Sequence, residues 1–431
     1  MQVLLISIAL FPLIVTNSTF FPTVFGKALY IRTLITMVTI LFTTYFSYSS
    51  EFRVSIVAKI NDLKKNRIVQ AISAYFVIFS ISTALATDKF ISFWGSPERN
   101  EGWVGIFFYI LFFFLIIFLF EKKHWIWFLR TSVLIGIVTF IHMMYQFFTG
   151  SARPDSLSGN VALLSTYLLF FTFCSFWLFL KSNQERNRLW LWISGLAIPA
   201  SIISIFLDGT RGAIVGLAAG ILASLIYLAL RGENIFFKNF SLKRISAGLL
   251  LLVVVFSGTF ILTRKAEIWS KVPGLNRIAL ISASDPTTHS RLILAKISLN
   301  AINPANEGIK KFLFGWGWDN FKLAWQKYYD PALYFYDQAV FDRAHDKIFD
   351  VLVMNGILGL LAYLAIWFFF FRTIFRLGGF STPILLFFGT AFFVQNLFLF
   401  DHVMSWVPFF AVLGYATYLS IRSNKIYENS N

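Results

Sequence analysis

Twelve mostly apolar stretches, each close to the length of a bilayer-crossing helix, recur along the chain. They lie at 2–17, 30–49, 68–86, 103–120, 125–148, 160–180, 189–207, 212–230, 246–263, 348–371, 383–400 and 404–421. A helix needs roughly 20 apolar residues to cross the hydrocarbon core, where each backbone N–H and C=O must be satisfied within its own segment. The pattern predicts an all-α polytopic membrane protein with about twelve transmembrane helices. Composition agrees, since 13% of residues are charged and soluble domains carry about 25%. The first stretch lacks a basic leader and a small-residue cleavage site, so it is expected to remain as the first span.

Basic residues set the orientation. Sixteen Lys and Arg fall in the short loops after the second, fourth, sixth, eighth and tenth spans, against six in the intervening short loops. The positive-inside rule then puts both termini in the cytoplasm. The net charge of +16 reads as this topology signal, and no nucleic-acid partner is expected. Three regions follow: 1–263 with spans one to nine, 264–347 as a large exported loop, and 348–431 with the last three spans and a short tail. Within the loop, Ser290–Ile302 and Asp319–Tyr329 have apolar residues at helical spacing with basic residues between them. They predict amphipathic helices at the membrane surface.

Polar residues gather on the exported side, in "SFWGSPERNEG" (92–102), "SARPDS" (151–156), "DGTRG" (208–212), the long loop and Asp401–His402. Span interiors carry almost no charge, which argues against a twelve-span transporter or flippase. Arg211 opens the eighth span, before a ladder of Gly212, Gly216 and Gly220 that lets another helix approach closely. Its guanidinium at a helix N-terminus suits phosphate, although a snorkelling anchor or a partner for Asp208 is an equally physical reading. Arg291 on the loop helix is open in the same way, as an anion contact or a headgroup contact.

His345 stands just before the tenth span. A neutral imidazole at a partly dry interface can act as a general base, with Asp342 or Asp346 orienting the ring; an interfacial polar residue is the plainer reading. His402 is a weaker candidate. A lone cysteine, Cys174, excludes disulfides. With no metal-ligand spacing and no nucleotide loop, no metal or cofactor is expected. An enzyme built this way works outside the cytoplasm on a donor that arrives activated, and a lipid-linked diphosphate calls for arginines.

The order "SRLILAKISLNAI", "FGWGWDNF", "RAHDKIFDVLVMNGILGLLAYL" resembles the O-antigen ligase and O-antigen polymerase superfamily of bacterial inner-membrane glycosyltransferases, and "FWGSPERNEG" resembles its ligase-type members. The resemblance implies a GT-C-like, metal-independent enzyme of the inner membrane with a helical periplasmic loop between helices 9 and 10. The implied donor is a glycan on undecaprenyl diphosphate, and the implied acceptor is lipid A-core or another glycan. Carried over by position, Arg211 and Arg291 grip the diphosphate and His345 activates the acceptor hydroxyl. Asp346, Arg343, Gly356 and Arg99 are supporting residues, and Asp346 is expected to raise the basicity of His345. Polysaccharide polymerase and protein O-oligosaccharyltransferase share this machinery and remain the alternatives.

Overall fold

A computed structural model describes residues 1–231, 241–282 and 285–428, with side chains to Ser423. Much of the basic loop after the eighth expected span, including Lys238, lies outside the described residues, as does the Lys425 side chain. Among the described residues every regular element is a helix. Nine helices among the described residues are long and apolar enough to cross a membrane: Phe25–Tyr48, Arg67–Ala84, Lys122–Phe148, Val161–Gln184, Arg188–Asp208, Arg211–Arg231, Leu242–Thr263, Lys347–Leu377 and Val403–Ser423. The chain is an integral membrane protein.

The other three expected spans are helical but shorter. Gln2–Ser7 passes into a 3-10 turn, Ile8–Leu13, which contains Pro12 and ends there, because proline has no N–H to extend the ladder. Trp103–Leu119 has 17 residues and Ser381–Asn396 has 16. Both are largely buried among longer helices. The loop expected at 50–67 is itself mostly helix, Ser50–Lys64, with Ser49 Oγ accepting from Phe52 N at its start. Asparagines set other boundaries, since a side-chain oxygen can accept from an unpaired first-turn N–H. Asn66, Asn160 and Asn187 cap Arg67–Ala84, Val161–Gln184 and Arg188–Asp208 in this way.

The glycine ladder finds its partner in Ser381–Asn396. A Cβ on Gly216 would stand 2.5 Å from Ala391 O, and one on Gly220 would stand 2.6 Å from Phe387 O. This close seam sets the N-terminus of Arg211–Arg231 beside the 397–402 connection, where Gly212 faces Phe398. By contrast, Leu242–Thr263 buries only Leu242, Ser246 and Phe260.

The hydrophilic segment folds as Pro286–Ile302, Pro304–Phe314 and Phe321–Lys327, with shorter turns around them. Pro286–Ile302 buries Ser290, Leu294, Ile297, Ser298 and Ala301, the one-sided spacing of an amphipathic helix. The Gly315–Trp318 turn docks on a break in Lys347–Leu377. Gly356 there has φ 68°, which frees carbonyls of the preceding turn. Val353 O accepts from Trp316 N at 2.9 Å and Met354 O accepts from Gly317 N at 3.0 Å. Ser82 Oγ donates to the same Met354 O at 2.8 Å. Both turn glycines have positive φ, and a Cβ on Gly315 would strike Met354.

Gly216→Val is expected to lower stability by roughly 1–3 kcal/mol, as overpacking of a close seam does, measured by unfolding in detergent. Gly248→Val, at a position with no atom within 4 Å of the added Cβ, is the matched control. Equal stability of the two variants would refute the seam.

Candidate functional site

Six separate parts of the chain converge on one cavity of about 230 Å³. Its lining includes Arg153 from the 151–160 loop, Thr210 and Arg211 at the start of Arg211–Arg231, and Arg277 from the short helix Leu275–Ala279. Thr287 and Arg291 come from Pro286–Ile302, and His345 and Phe398–Phe400 complete it. Arg211, Arg291 and His345 are therefore brought together. Arg153 and Arg277 were missed as site residues, because a lone arginine in a loop carries no spacing signal.

Three of the four guanidiniums are held by fixed partners. Arg153 Nε donates to Asp208 O at 3.0 Å. Arg291 Nη2 donates to Phe398 O at 2.9 Å. Arg211 Nη1 pairs with Asp285 Oδ2 at 2.8 Å, while its buried Nε has no partner. That pairing explains why Asp285 precedes Pro286–Ile302 without capping it. No carboxylate lines the cavity among the described residues. Burial lowers Arg277 below its ordinary value, and Arg153 and Arg211 lower it further. Arg291 is likewise lowered, by burial first and partly offset by Asp346. Such mutual repulsion marks a place where an anion would be stabilised.

His345 sits at φ 56°, a left-handed conformation that few non-glycine residues hold and that surrounding contacts must impose. Its Nδ1 lies 3.2 Å from Arg343 O. A carbonyl only accepts, so Nδ1 carries the hydrogen and Nε2 of the neutral ring keeps its lone pair. Phe341 and Phe400 pack edge-on, with ring centroids 5.4 and 5.1 Å away. Burial pushes the His345 pKa below its ordinary value; the Arg343 carbonyl and Asp342 oppose this, and Arg291 and Arg99 reinforce it. The expected roles of the neighbouring carboxylates are thus corrected. Asp346 accepts from Ile348 N and Phe349 N as the cap of Lys347–Leu377, so a backbone carbonyl orients the ring. The basicity of His345 is lowered, because desolvation outweighs nearby negative charge.

The supporting residues stand outside the lining. Arg343 is 1% exposed and pairs with the buried Asp319 at 2.5 Å. Arg99 forms a two-pronged pair with Asp342, Nε–Oδ2 2.5 Å and Nη2–Oδ1 2.9 Å, and stacks 4.2 Å from the Phe400 ring centroid. Burial alone would raise Asp342, but Arg99 and Arg343 hold it at about 2. Gly356 acts at a distance, through the docked Gly315–Trp318 turn. His402 lies beyond the lining, and burial lowers its pKa to about 3. His289 stacks on Tyr336.

Residues 196–364 match the family model described as O-antigen ligase. The match spans less than half of the chain and supports the resemblance to the O-antigen ligase superfamily. No curated protein matches it. Arg211, Arg277, Arg291 and His345 all fall within the matched O-antigen ligase segment, whereas Arg99 and Arg153 precede it. The matched segment is consistent with a ligase- or glycosyltransferase-type role in polysaccharide biosynthesis.

Arg343→Met leaves Asp319 buried without its partner and is expected to cost about 3–5 kcal/mol, whereas Arg343→Met with Asp319→Asn, which removes the charge and keeps an acceptor for Ser96 N, recovers most of the loss. Unfolding in detergent measures both. Equal losses in the single and double variants would show that the pair is not coupled.

Proposed function

We propose that the protein transfers a glycan from undecaprenyl diphosphate to an acceptor hydroxyl, of lipid A-core or a similar glycan, at the periplasmic face of the inner membrane. The convergence of four arginines and His345 on one cavity supports this reading. The membrane domain comprises twelve spans, 1–263 and 348–431, with both termini cytoplasmic. The segment 264–347 is the periplasmic loop that closes the site.

In this reaction the acceptor oxygen attacks the anomeric carbon while Nε2 of His345 takes its proton. The bond from that carbon to the diphosphate oxygen breaks, and the electron pair leaves with the diphosphate. Attack opposite the leaving group inverts the anomeric configuration. Arg211 and Arg291, with Arg153 and Arg277 beside them, hold the diphosphate and stabilise the charge that develops on it. No metal is required, because the guanidiniums supply the positive charge.

His345 suits its role because the Arg343 carbonyl fixes the tautomer and burial keeps the ring neutral near pH 7. His345→Ala is expected to reduce turnover by roughly 10²–10⁴-fold, measured with purified protein, an undecaprenyl-diphosphate glycan and lipid A-core, without added metal. Unchanged transfer by this variant would remove the proposed chemistry, and the acceptor that reacts separates ligase from polymerase.

The lowered pKa gives the sign of the pH dependence. The base is active when deprotonated, so kcat/KM should fall as pH drops through a value below about 6.5, the ordinary histidine pKa. An acid limb centred above that value would contradict the assignment. Arg153→Gln and Arg277→Gln should each lower kcat/KM by roughly ten- to a hundredfold, the size of a lost charged hydrogen bond. Wild-type kcat/KM in both would exclude these two from the grip.

A further inference from the structure

At the opposite end of the molecule four helix ends surround a second cavity, of about 290 Å³. Lys122 begins Lys122–Phe148, Lys181 lies in the last turn of Val161–Gln184, Ser381 begins Ser381–Asn396, and Arg422 lies near the end of Val403–Glu428. Val161–Gln184 fixes the separation. Its first turn lines the arginine cavity with Ala162 and Leu163, and its last turn lines this one. From Ala162 to Lys181 the helix rises about 28 Å at 1.5 Å per residue, close to the depth of a bilayer's hydrocarbon core.

Three cations, Lys122, Lys181 and Arg422, line the cavity, and among the described residues no carboxylate does. Glu185 stands behind, 3.6 Å from Lys122 and 3.3 Å from Lys181, leaving an excess of positive charge. Lys181 is mostly buried and lies 5.9 Å from the Phe380 ring centroid. Ser381–Asn396 starts with no side-chain cap, so its first N–H groups and the positive end of its dipole add to the same field. Trp125 in the wall is 2% exposed, and its indole N–H has no partner.

The rest of the wall is aromatic, with Trp177 and Trp125 packed edge-on against Tyr415 at 5.6 and 5.1 Å. Tyr418 and Arg422 are shared with a neighbouring cavity that presents Leu63, Ile117, Phe120 and Ile421 as its apolar wall, alongside Lys59, Asp62 and Glu121. Tryptophan and tyrosine around cations at the end of membrane helices is the chemistry of the lipid interface. An anion in the cationic pocket with an apolar tail in the neighbouring one is an amphiphile, and a free phosphate would leave the apolar half unused.

We propose that this cavity binds the phosphate headgroup of an anionic membrane lipid, on the face opposite the arginine cavity. Lys122, Lys181 and Arg422 hold the phosphate oxygens, the indole N–H of Trp125 donates alongside them, and an acyl chain follows Leu63, Ile117 and Phe120. The site lies apart from the proposed reaction and does not depend on it.

The test uses the full chain in mixed detergent micelles with phosphatidylglycerol or phosphatidylcholine, and native mass spectrometry to count retained lipid. The wild type should retain phosphatidylglycerol over phosphatidylcholine, and Lys181→Gln with Arg422→Gln should cut that preference about tenfold. Arg211→Gln with Arg291→Gln should leave it within twofold, which separates this site from the arginine cavity. Trp125→Phe, which keeps the ring and removes the N–H, should weaken retention less and serves if the double variant does not fold. Excess inorganic phosphate should not displace the lipid. Equal retention of both lipids, preference unchanged in both the Lys181/Arg422 and Trp125 variants, or displacement by phosphate alone would each overturn the proposal.

Discussion

The Arg343–Asp319 ion pair is the contact on which the geometry around His345 depends. Both side chains are buried, so neither charge is tolerable without the other. Asp319 also accepts from Ser96 N at 2.5 Å, which joins the 95–101 loop to the turn after Trp318. Arg343 lies two residues before His345 and presents the carbonyl that meets the imidazole. One pair thus fixes the backbone that gives His345 its left-handed conformation. Arg99, gripping Asp342 and stacking on Phe400, repeats the constraint from the other side of the ring.

Around this frame the cavity is assembled from charges that repel one another. Arg153, Arg211 and Arg291 are each restrained by a backbone carbonyl or a carboxylate, so most of the cationic face is set before any anion arrives. Such preorganisation is what makes electrostatic stabilisation effective, since the donors need not reorganise as charge develops. Asp285 is an internal counter-ion: it holds Arg211 in place and opposes the build-up of like charge. Burial would raise Asp285, but the Arg211 hydrogen bond and charge keep it below its ordinary value. It stays ionised at neutral pH.

The glycine seam and the Gly356 break show how small residues transmit this order. Gly216 and Gly220 allow Ser381–Asn396 to lie against Arg211–Arg231, which brings Phe398 to Arg291. Gly356 interrupts a helix so that Trp316 and Gly317 can dock on its freed carbonyls. In both cases a side chain would occupy space that backbone now fills, so the absence of a Cβ carries the information.

The sequence by itself determined the helical class, the membrane location and most helix positions. Apolar run length, flanking asparagine caps and prolines act locally, within a few residues along the chain. It also marked Arg211, Arg291 and His345 as candidates, two of them by their place at a helix start. Tertiary structure decided what those residues meet. Arg153 and Arg277 join the cavity from positions 124 residues apart in the sequence, and no local pattern connects them. That a carbonyl orients His345, while Asp346 caps a helix, depends on backbone direction at one left-handed residue. Desolvation then reversed the expected effect of nearby carboxylates, because burial is a property of the whole packed assembly and is not written in any neighbouring residue.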